Sequence, residues 1–179
     1  VVSAYQVRGL ARIQQNNFAG AIEDYTKALE FDPENIGVWH NMALCRIRQE
    51  DYKGAKNDLD KLIAISPRYT KAYLMRGEVD LKQKDTLAAE KEFGKAIEID
   101  RYDADTWASR AILGLQRQRY KDAEADFDHA IRLSTRNSGV YINRALARYH
   151  QNNLRGAMSD YDIALDIDPN NFIGHYNRG

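Results

Sequence analysis

The strongest constraint on this chain is a segment that returns at a fixed spacing. The sequence AIEDYTKALEFDPEN at residues 21–35 recurs as AMSDYDIALDIDPNN at residues 157–171, and the offset of 136 residues equals four periods of 34. Three intermediate copies keep this spacing, with the leading alanine at Ala55, Ala89 and Ala123. Each period carries two amphipathic helical patterns, and such a period is typical of a helical solenoid, in which every repeat buries its apolar face against its neighbours. The sequence therefore predicts an all-α solenoid.

The period divides the chain into five full repeats and the beginning of a sixth, with no residues left for a linker. The boundaries are residues 2–35, 36–69, 70–103, 104–137, 138–171 and, for the partial repeat, 172–179. We interpret residues 1–179 as a single array of antiparallel helix pairs that forms a right-handed superhelix, an α-solenoid. Since the last copy stops inside its first helix, we expect the chain to be a fragment of a longer protein and its ends to self-associate weakly.

Each repeat contains a short polar turn and a helix stop at matching positions. In the first repeat the turn falls at residues 16–17, and the second helix ends before Pro33, because proline cannot continue a helix. Proline returns in the second and fifth repeats, whereas Arg101 and Thr135 occupy this position in the third and fourth. The second helices of those two repeats are therefore expected to run on by one or two residues.

Composition and charge exclude several classes of function. The 26 basic residues balance 26 acidic ones, so the chain lacks the basic excess that nucleic-acid binding requires. No apolar run approaches the roughly 20 residues that span a bilayer, and we expect no membrane insertion. The single cysteine forbids an internal disulfide, and it leaves the compartment open between cytoplasm and periplasm.

No set of residues indicates catalysis, a metal or a cofactor. His40 and Cys45 are close in sequence, but at about 100° per residue they lie roughly 140° apart around a helix and do not share a face. His129, His150 and His175 are isolated, without a second ligand at metal spacing. The chain has no glycine-rich phosphate loop and no nucleophile elbow. We therefore expect no catalytic residues, no metal, no cofactor and no enzyme activity.

Specific residues of both helices resemble the tetratricopeptide repeat. An aromatic residue followed four positions later by a small one recurs in the first helices as Tyr5 and Gly9, Trp39 and Ala43, Tyr73 and Gly77, Trp107 and Ala111, and Tyr141 and Ala145. The second helices carry alanine, a bulky residue, alanine and usually proline, as in Ala21, Tyr25, Ala28 and Pro33. Small residues suit a close helix crossing, because only glycine or alanine lets two backbones approach. The resemblance covers essentially the whole chain.

The resemblance implies a non-catalytic scaffold that binds a peptide or helix of another protein in a concave groove lined by the first helices. The groove positions of this family correspond to Gln6, Leu10, Ile13, His40, Leu44, Ile47, Leu74, Leu81, Ile112, Leu115, Ile142, Leu146 and Tyr149. Most of these side chains are aliphatic, and a contiguous exposed apolar surface usually marks an interaction site. Five polar residues are expected to form the rim: Gln14, Arg48, Lys82, Gln116 and His150.

Alternatives to this groove remain open. In one, neighbouring first helices bury the aliphatic side chains; in another, the array is a structural spacer or a self-association module of a larger multidomain protein. An accessory role in an enzyme would need chemistry outside these residues. A clamp for the carboxylate of a chaperone tail is not expected, because Gln6 and Leu10, or His40 and Leu44, stand where the family uses lysine and asparagine.

An arginine series departs from the common pattern of the family, which often has leucine at this place. The series is Arg8, Arg76, Arg110, Arg144 and Arg178, with Met42 as the exception. Acids recur in the second helices as Asp24, Asp58, Glu92, Asp126 and Asp160. A guanidinium donates to a carboxylate in bidentate fashion, so we predict structural ion pairs within or between repeats. The alternative is two solvated charged faces. In this family the arginine-bearing variant is mostly bacterial, which hints at a bacterial origin.

Overall fold

The computed structural model describes residues 1–134 and 136–178, and in these residues the chain forms eleven helices and no strand. The first helices of the repeats are α1 (Val2–Gln14), α3 (Ile36–Arg48), α5 (Thr70–Lys82), α7 (Ala104–Gln116) and α9 (Ser138–His150). The second helices are α2 (Phe18–Phe31), α4 (Tyr52–Ile65), α6 (Thr86–Ile99), α8 (Tyr120–Leu133) and α10 (Leu154–Ile167), and α11 (Phe172–Arg178) begins the sixth repeat. The prediction of an all-α fold is confirmed.

The helices group into two compact units, Val1–Lys95 and Ala96–Gly179, with the division inside α6. In the N-terminal unit, α1 packs against α2, α2 against α3, α3 against α4 and α4 against α5. In the C-terminal unit, α7 packs against α8, α8 against α9, α9 against α10 and α10 against α11. Within each unit these helices therefore pack against the helices next to them in sequence, as expected when repeats bury apolar faces against adjacent repeats. The interpretation of the whole chain as one array remains a prediction.

Two residues after the ends of α1, α3, α5, α7 and α9, the chain holds a residue with positive φ that is not glycine. These residues are Asn16, Glu50, Lys84, Gln118 and Asn152, with φ between 58° and 63°. In the first of these turns, the Asn17 N–H donates to the Arg12 carbonyl oxygen at 2.8 Å and closes the end of α1. The Asn17 side chain then accepts from the Gly20 N–H at 3.0 Å, which caps α2. The polar turns read from the sequence therefore end one helix and begin the next.

The expectation that α6 and α8 run on is wrong. Both contain 14 residues, as does α2, which precedes a proline. Helix α8 stops because Ser134 adopts an extended backbone, with φ −151° and ψ 117°. Thr135, on which part of the expectation rested, lies outside the described residues.

An aromatic side chain of the next first helix binds the carbonyl group at the proline position. The Trp39 indole N–H donates to the Pro33 oxygen at 2.8 Å. The Trp107 indole makes the same bond to the Arg101 oxygen at 2.9 Å. The bond needs only a backbone carbonyl oxygen. It therefore forms after α6, where Arg101 replaces the proline, as it does after α2 at Pro33.

Small residues bring the two helices of a repeat together. A Cβ atom built on Gly77 would lie 2.5 Å from Cε1 of Phe93, so the ring occupies the space that glycine leaves. Ala21, Ala89 and Ala123 are fully buried in the second helices. The apolar core therefore lies between the two helices of a repeat and the first helix of the next repeat.

Candidate protein-binding surface

In the N-terminal unit, the predicted groove residues retain access to solvent. Leu44, Ile47 and Leu81 are half-buried, and Leu10 is 46% exposed. Leu44 and Ile47 pack against the buried cluster around Leu59, so one side of each is anchored while the rest is accessible. The remaining predicted residues of this unit are also half-buried: Gln6, Ile13, His40 and Leu74.

In the C-terminal unit, the predicted residues divide into surface and core. Ile112 and Tyr149 are exposed, at 37% and 57%, and Leu115 and Leu146 are half-buried. Ile142 is only 7% exposed, because it packs in the apolar cluster between α9 and α10. Ile142 is therefore a core residue, and its assignment to the binding surface is corrected.

A cavity of about 410 Å³, which we name the α3–α5 cavity, opens among the residues of the N-terminal unit. Its lining residues are His40, Leu44, Ile47, Arg48, Glu50, Tyr52, Met75, Glu78 and Lys82. Leu44, Ile47 and Met75 form an apolar wall, and charged side chains stand beside it. Sequence reasoning missed Met75 and Tyr52, because Met75 precedes the arginine position and Tyr52 belongs to a second helix. The volume falls within the range of about 300–1,000 Å³ that is usual for ligand pockets.

Two titratable side chains of this cavity are shifted by burial. The His40 Nδ1 atom lies 3.3 Å from the Tyr69 hydroxyl oxygen. Burial lowers the pKa of His40, with a smaller contribution from the positive charge of Lys71. Burial raises the pKa of Glu78, and nearby Lys82 opposes that shift. Since the lowered pKa keeps His40 neutral at pH 7, the positive charge in the lining comes from the lysine and arginine side chains.

A second cavity, of about 620 Å³, lies in the C-terminal unit. Its lining residues are Leu146, Tyr149, Leu154, Ala157, Met158, Tyr161, Tyr176, Asn177 and Arg178. Sequence reasoning named only Leu146 and Tyr149. Leu154 and Met158 were missed because they belong to a second helix, although they are 52% and 43% exposed. A signal was present, since Met158 replaces the acidic Glu124 of the preceding repeat.

The five predicted rim residues are all exposed: Gln14, Arg48, Lys82, Gln116 and His150. The His150 ring stacks on Tyr120, with ring centres 4.4 Å apart and planes at 11°. Arg48 and Lys82 line the α3–α5 cavity. The rim therefore contains one fixed aromatic contact and two cations beside a cavity.

The arginines of the series contact acids that lie 16 residues before or after them in sequence, and Arg76 and Arg144 contact acids on both sides. Arg144 donates to Asp160 of its own repeat at 2.6 and 3.0 Å, and it also donates to Asp128 of the preceding repeat at 2.7 Å. Pairs therefore form both within and between repeats, a question that the sequence left open. Further pairs with this spacing join Arg8 to Asp24, Arg76 to Glu92 and Asp60, Arg110 to Asp126, and Arg178 to Asp162.

Asp58 is paired differently, because Met42 occupies the arginine position of the second repeat. Its carboxylate accepts from the Arg46 Nε at 2.7 Å, 12 residues earlier in the chain. Burial raises the pKa of Asp58 to about 6, although Arg46 opposes the shift. Asp58 therefore takes up a proton at a higher pH than an ordinary aspartate carboxyl group does.

Four arginines of the series, Arg8, Arg76, Arg110 and Arg144, also lie over an aromatic ring of their own helix. The Arg110 Cζ atom is 5.0 Å from the Trp107 ring centre, and the Arg144 Cζ atom is 5.5 Å from that of Tyr141. Cation–π contact and ion pairing together engage these guanidinium groups within the protein. We therefore expect the arginines to serve stability and not partner binding, which stays a prediction.

One ion pair between neighbouring repeats is found in both units, with the acidic and basic residues at exchanged positions. In the N-terminal unit, the Lys56 Nζ of α4 lies 2.5 Å from a carboxylate oxygen of buried Asp80 in α5. In the C-terminal unit, the positions two periods later hold Glu124 and Arg148, whose Oε1 and Nε lie 2.8 Å apart. The ion pair occupies the same two positions in both units, but the positive and negative residues are exchanged. A helix taken from one unit would therefore place like charges together against the neighbouring helix of the other unit.

Metal-ligand groups and the cysteine are the candidates for chemistry that were read from the sequence. The described residues contain no group of three or more His, Cys, Asp or Glu side chains placed to hold a metal ion. Cys45 is fully buried in the cluster around Met42, and burial raises the pKa of its thiol to about 11, which disfavours the reactive thiolate. Among the described helices, none has both the length and the apolar character needed to cross a bilayer.

Models of one repeat family match nearly the entire chain. The model described as TPR repeat matches residues 9–45, and two models described as Tetratricopeptide repeat match residues 36–69 with 70–103 and residues 109–172. The chain belongs to the tetratricopeptide-repeat family. The matched segments 36–69 and 70–103 coincide with the second and third repeats read from the sequence.

Several solved tetratricopeptide-repeat structures share the fold. PilF of Pseudomonas aeruginosa has a TM-score of 0.84 and 22% identity, covering 95% of this chain and 78% of PilF. MamA (41-end) of Desulfovibrio magneticus has a TM-score of 0.80 and 12% identity, covering 96% and 97%. YrrB, titled a TPR protein with an unusual peptide-binding site, has a TM-score of 0.75 and 19% identity, covering 97% and 90%. These likenesses show the solenoid fold alone. No curated protein matches this chain.

Proposed function

We propose that this chain is a non-catalytic scaffold that binds a peptide or helix of another protein through the apolar wall of its first helices. We define this wall by Leu44, Ile47 and Leu81 in the N-terminal unit and by Ile112 and Leu115 in the C-terminal unit, each unit being described by itself. The observation that carries the proposal is their partial exposure: four are half-buried and Ile112 is 37% exposed, although all are aliphatic. Aliphatic side chains that are anchored in the core and open on one side form a preorganised docking surface.

The two cavities support the same assignment. The α3–α5 cavity lies on the wall of the N-terminal unit, and the second cavity includes Leu146 and Tyr149 of the C-terminal unit. A concave site beside an apolar row suits helix-in-groove or extended-peptide recognition, where a few side chains of the partner enter pockets. YrrB carries a peptide-binding site by its title, and we extend peptide binding to this chain as part of the proposal.

Self-association is the second candidate, and exposed apolar residues of α1 and α11 favour it. Val7 is 67% exposed in α1, and Phe172, Ile173 and Tyr176 are 78%, 57% and 76% exposed in α11. Contact between such helices of two copies would give weak assembly. A sedimentation coefficient that rises with protein concentration supports this candidate, and a strict monomer at high concentration removes it.

A charge placed on the wall is expected to abolish partner binding. Leu44→Asp and Ile112→Asp each put a carboxylate on the apolar surface, so capture of the natural partner should fall by at least about thirtyfold, the loss typical of a central interface residue. The measurement is the affinity of purified variants for that partner, with helicity checked by circular dichroism. The matched control is Ile163→Asp, which charges an exposed aliphatic residue of the second helix α10. Undiminished capture by both wall variants would move binding to another face.

A further inference from the structure

Two of the five buried acids of the second helices are each held by two arginines. These acids and their arginines are Asp24 with Arg8 and Arg12, and Asp160 with Arg144 and Arg148. Both carboxylates are 1% exposed. A buried carboxylate needs a nearby cation to remain charged, and here two guanidinium groups meet one negative charge.

Asp58 is almost as deeply buried, at 5% exposure, but it shares a single arginine with a second acid. The Arg46 Nε donates to Asp58 at 2.7 Å, and Nη1 of the same guanidinium donates to Asp51, the N-cap of α4, at 2.9 Å. Met42 stands at the position where the other repeats have their first arginine, and it lies buried in the apolar core. Two carboxylates therefore share one positive charge beside α4.

Within residues 1–134 and 136–178, no second cation forms an ion pair with Asp58. On α4 itself, Lys61 lies one turn beyond Asp58 and is exposed. On α3, His40 and Arg48 line the α3–α5 cavity, at about 120° and about 200° around the helix from Arg46. The charged groups of these two helices therefore leave Asp58 with Arg46.

The neighbouring helices α5 and α2 do not add a cation. The charges that α5 presents to α4 are engaged in two other pairs, Arg76 with Asp60 and Asp80 with Lys56. On α2, the two positions whose equivalents in α8 contact an arginine of the next helix hold the uncharged Ile22 and Thr26. The charged groups that act on Asp58 are therefore Arg46 and Asp51.

We propose that Asp58 makes the helix pair α3–α4 a proton-responsive element: a proton on Asp58 leaves Arg46 to Asp51 and holds the pair together more firmly. Protonation removes a buried charge, and one cation then meets one acid. Helix α3 also carries Leu44 and Ile47, which pack against the buried cluster shared by α3, α4 and α5. The proton therefore acts on the helix pair that presents the apolar surface of the N-terminal unit.

A proton binds Asp58 more tightly in the folded chain than in the unfolded one. Burial raises the pKa of Asp58 from 3.8 to about 6, with Arg46 opposing the shift and Asp51 adding to it. Because the folded pKa is raised, this group favours folding as the pH falls through about 6, and its contribution is complete below the ordinary value of 3.8. Between pH 7 and pH 5, Asp58 should raise the ratio of folded to unfolded chain about tenfold.

Urea denaturation of the wild-type chain and of Asp58→Asn, at pH 7 and at pH 5, isolates this effect. Asparagine keeps the shape of the side chain and has no carboxyl proton to bind, whereas groups such as His40 titrate in both proteins. The ratio of the two unfolding equilibrium constants should change about tenfold between these pH values. Asp24→Asn is the matched control, because the hydrogen bond from Arg8 lowers the pKa of Asp24 and keeps its carboxylate charged over this range. The corresponding ratio for Asp24→Asn should stay constant.

Carbon-13 NMR of the side-chain carboxyl groups in the intact chain measures the proton on Asp58 directly, with Asp58→Asn used to assign its signal. Amide hydrogen exchange, corrected for the intrinsic effect of pH, reports on the helix pair. Protection of α3 and α4 should rise from pH 7 to pH 5 in the wild-type chain but not in Asp58→Asn. A titration midpoint near 3.8, or a constant ratio of unfolding constants for Asp58→Asn, overturns the inference. A midpoint near 6 with unchanged protection of α3 and α4 also overturns it.

Discussion

Replacing Asp160 with alanine is expected to cost about 3–5 kcal/mol of unfolding free energy, the range found when one member of a buried ion pair is removed. Asp160 is 1% exposed and accepts from Arg144 at 2.6 Å and from Arg148 at 2.9 Å. Its loss leaves two largely buried guanidinium groups short of an acceptor. Urea denaturation monitored by circular dichroism measures the effect.

Asp162→Ala is the matched control, because it removes an acid of the same helix that is half exposed. Asp162 accepts from Arg178 at 2.7 Å, but both side chains are about half exposed, at 52% and 47%. Surface pairs of this kind contribute roughly 0–1 kcal/mol. Equal losses of unfolding free energy for Asp160→Ala and Asp162→Ala would mean that burial does not determine how much these ion pairs stabilise the fold. That result would contradict the structural role of the arginine series.

Replacing Ala123 with leucine is expected to destabilise the fold by about 1–3 kcal/mol through overpacking. Ala123 is fully buried, and its Cβ would lie 3.1 Å from a Cβ built on Gly114 of α7, so the backbones of α7 and α8 approach closely there. Three added carbon atoms would push the helices apart. Ala89→Leu tests the corresponding position of α6, which is also fully buried.

Ala125→Leu is the control for the close-approach argument. Ala125 lies two residues from Ala123 in the same helix but is exposed. Leucine has a high helix propensity, so this variant should change the unfolding free energy by less than about 0.5 kcal/mol. Melting temperatures from thermal denaturation compare the variants, and unchanged melting for both Ala89→Leu and Ala123→Leu would remove the argument.

The helices and their order were predictable because their signals are local and repeated. The period of 34 places each polar turn, and the turns hold left-handed residues such as Lys84 and Gln118 that no glycine marked. The proline rule failed at α6, because hydrogen bonding from Trp107 to the Arg101 carbonyl oxygen requires no proline. Because every residue has a backbone carbonyl group, the type of residue that accepts this bond does not reveal it in the sequence.

The candidate site was predictable only in part, because exposure depends on packing between helices. Ile142 and Ile112 look alike in sequence, yet Ile142 is in the core and Ile112 is on the surface. Leu154 and Met158 were missed because the second helices were read as core-forming. Residue spacing did not show whether Arg144 pairs with an acid of its own repeat or of the preceding one. In the structure it pairs with both, Asp160 and Asp128.

Site-specific photo-crosslinking in cells tests most directly whether the first-helix wall is the binding surface. A photoreactive residue placed at Ile47 or Leu115, on the wall, is compared with one at Lys61 or Ile163, which lie on second helices. Mass spectrometry then identifies the crosslinked peptides. The proposal predicts that the wall positions crosslink to a defined segment of another protein while the second-helix positions do not. Crosslinking of the same segment from Lys61 or Ile163, with none from Ile47 or Leu115, would contradict it.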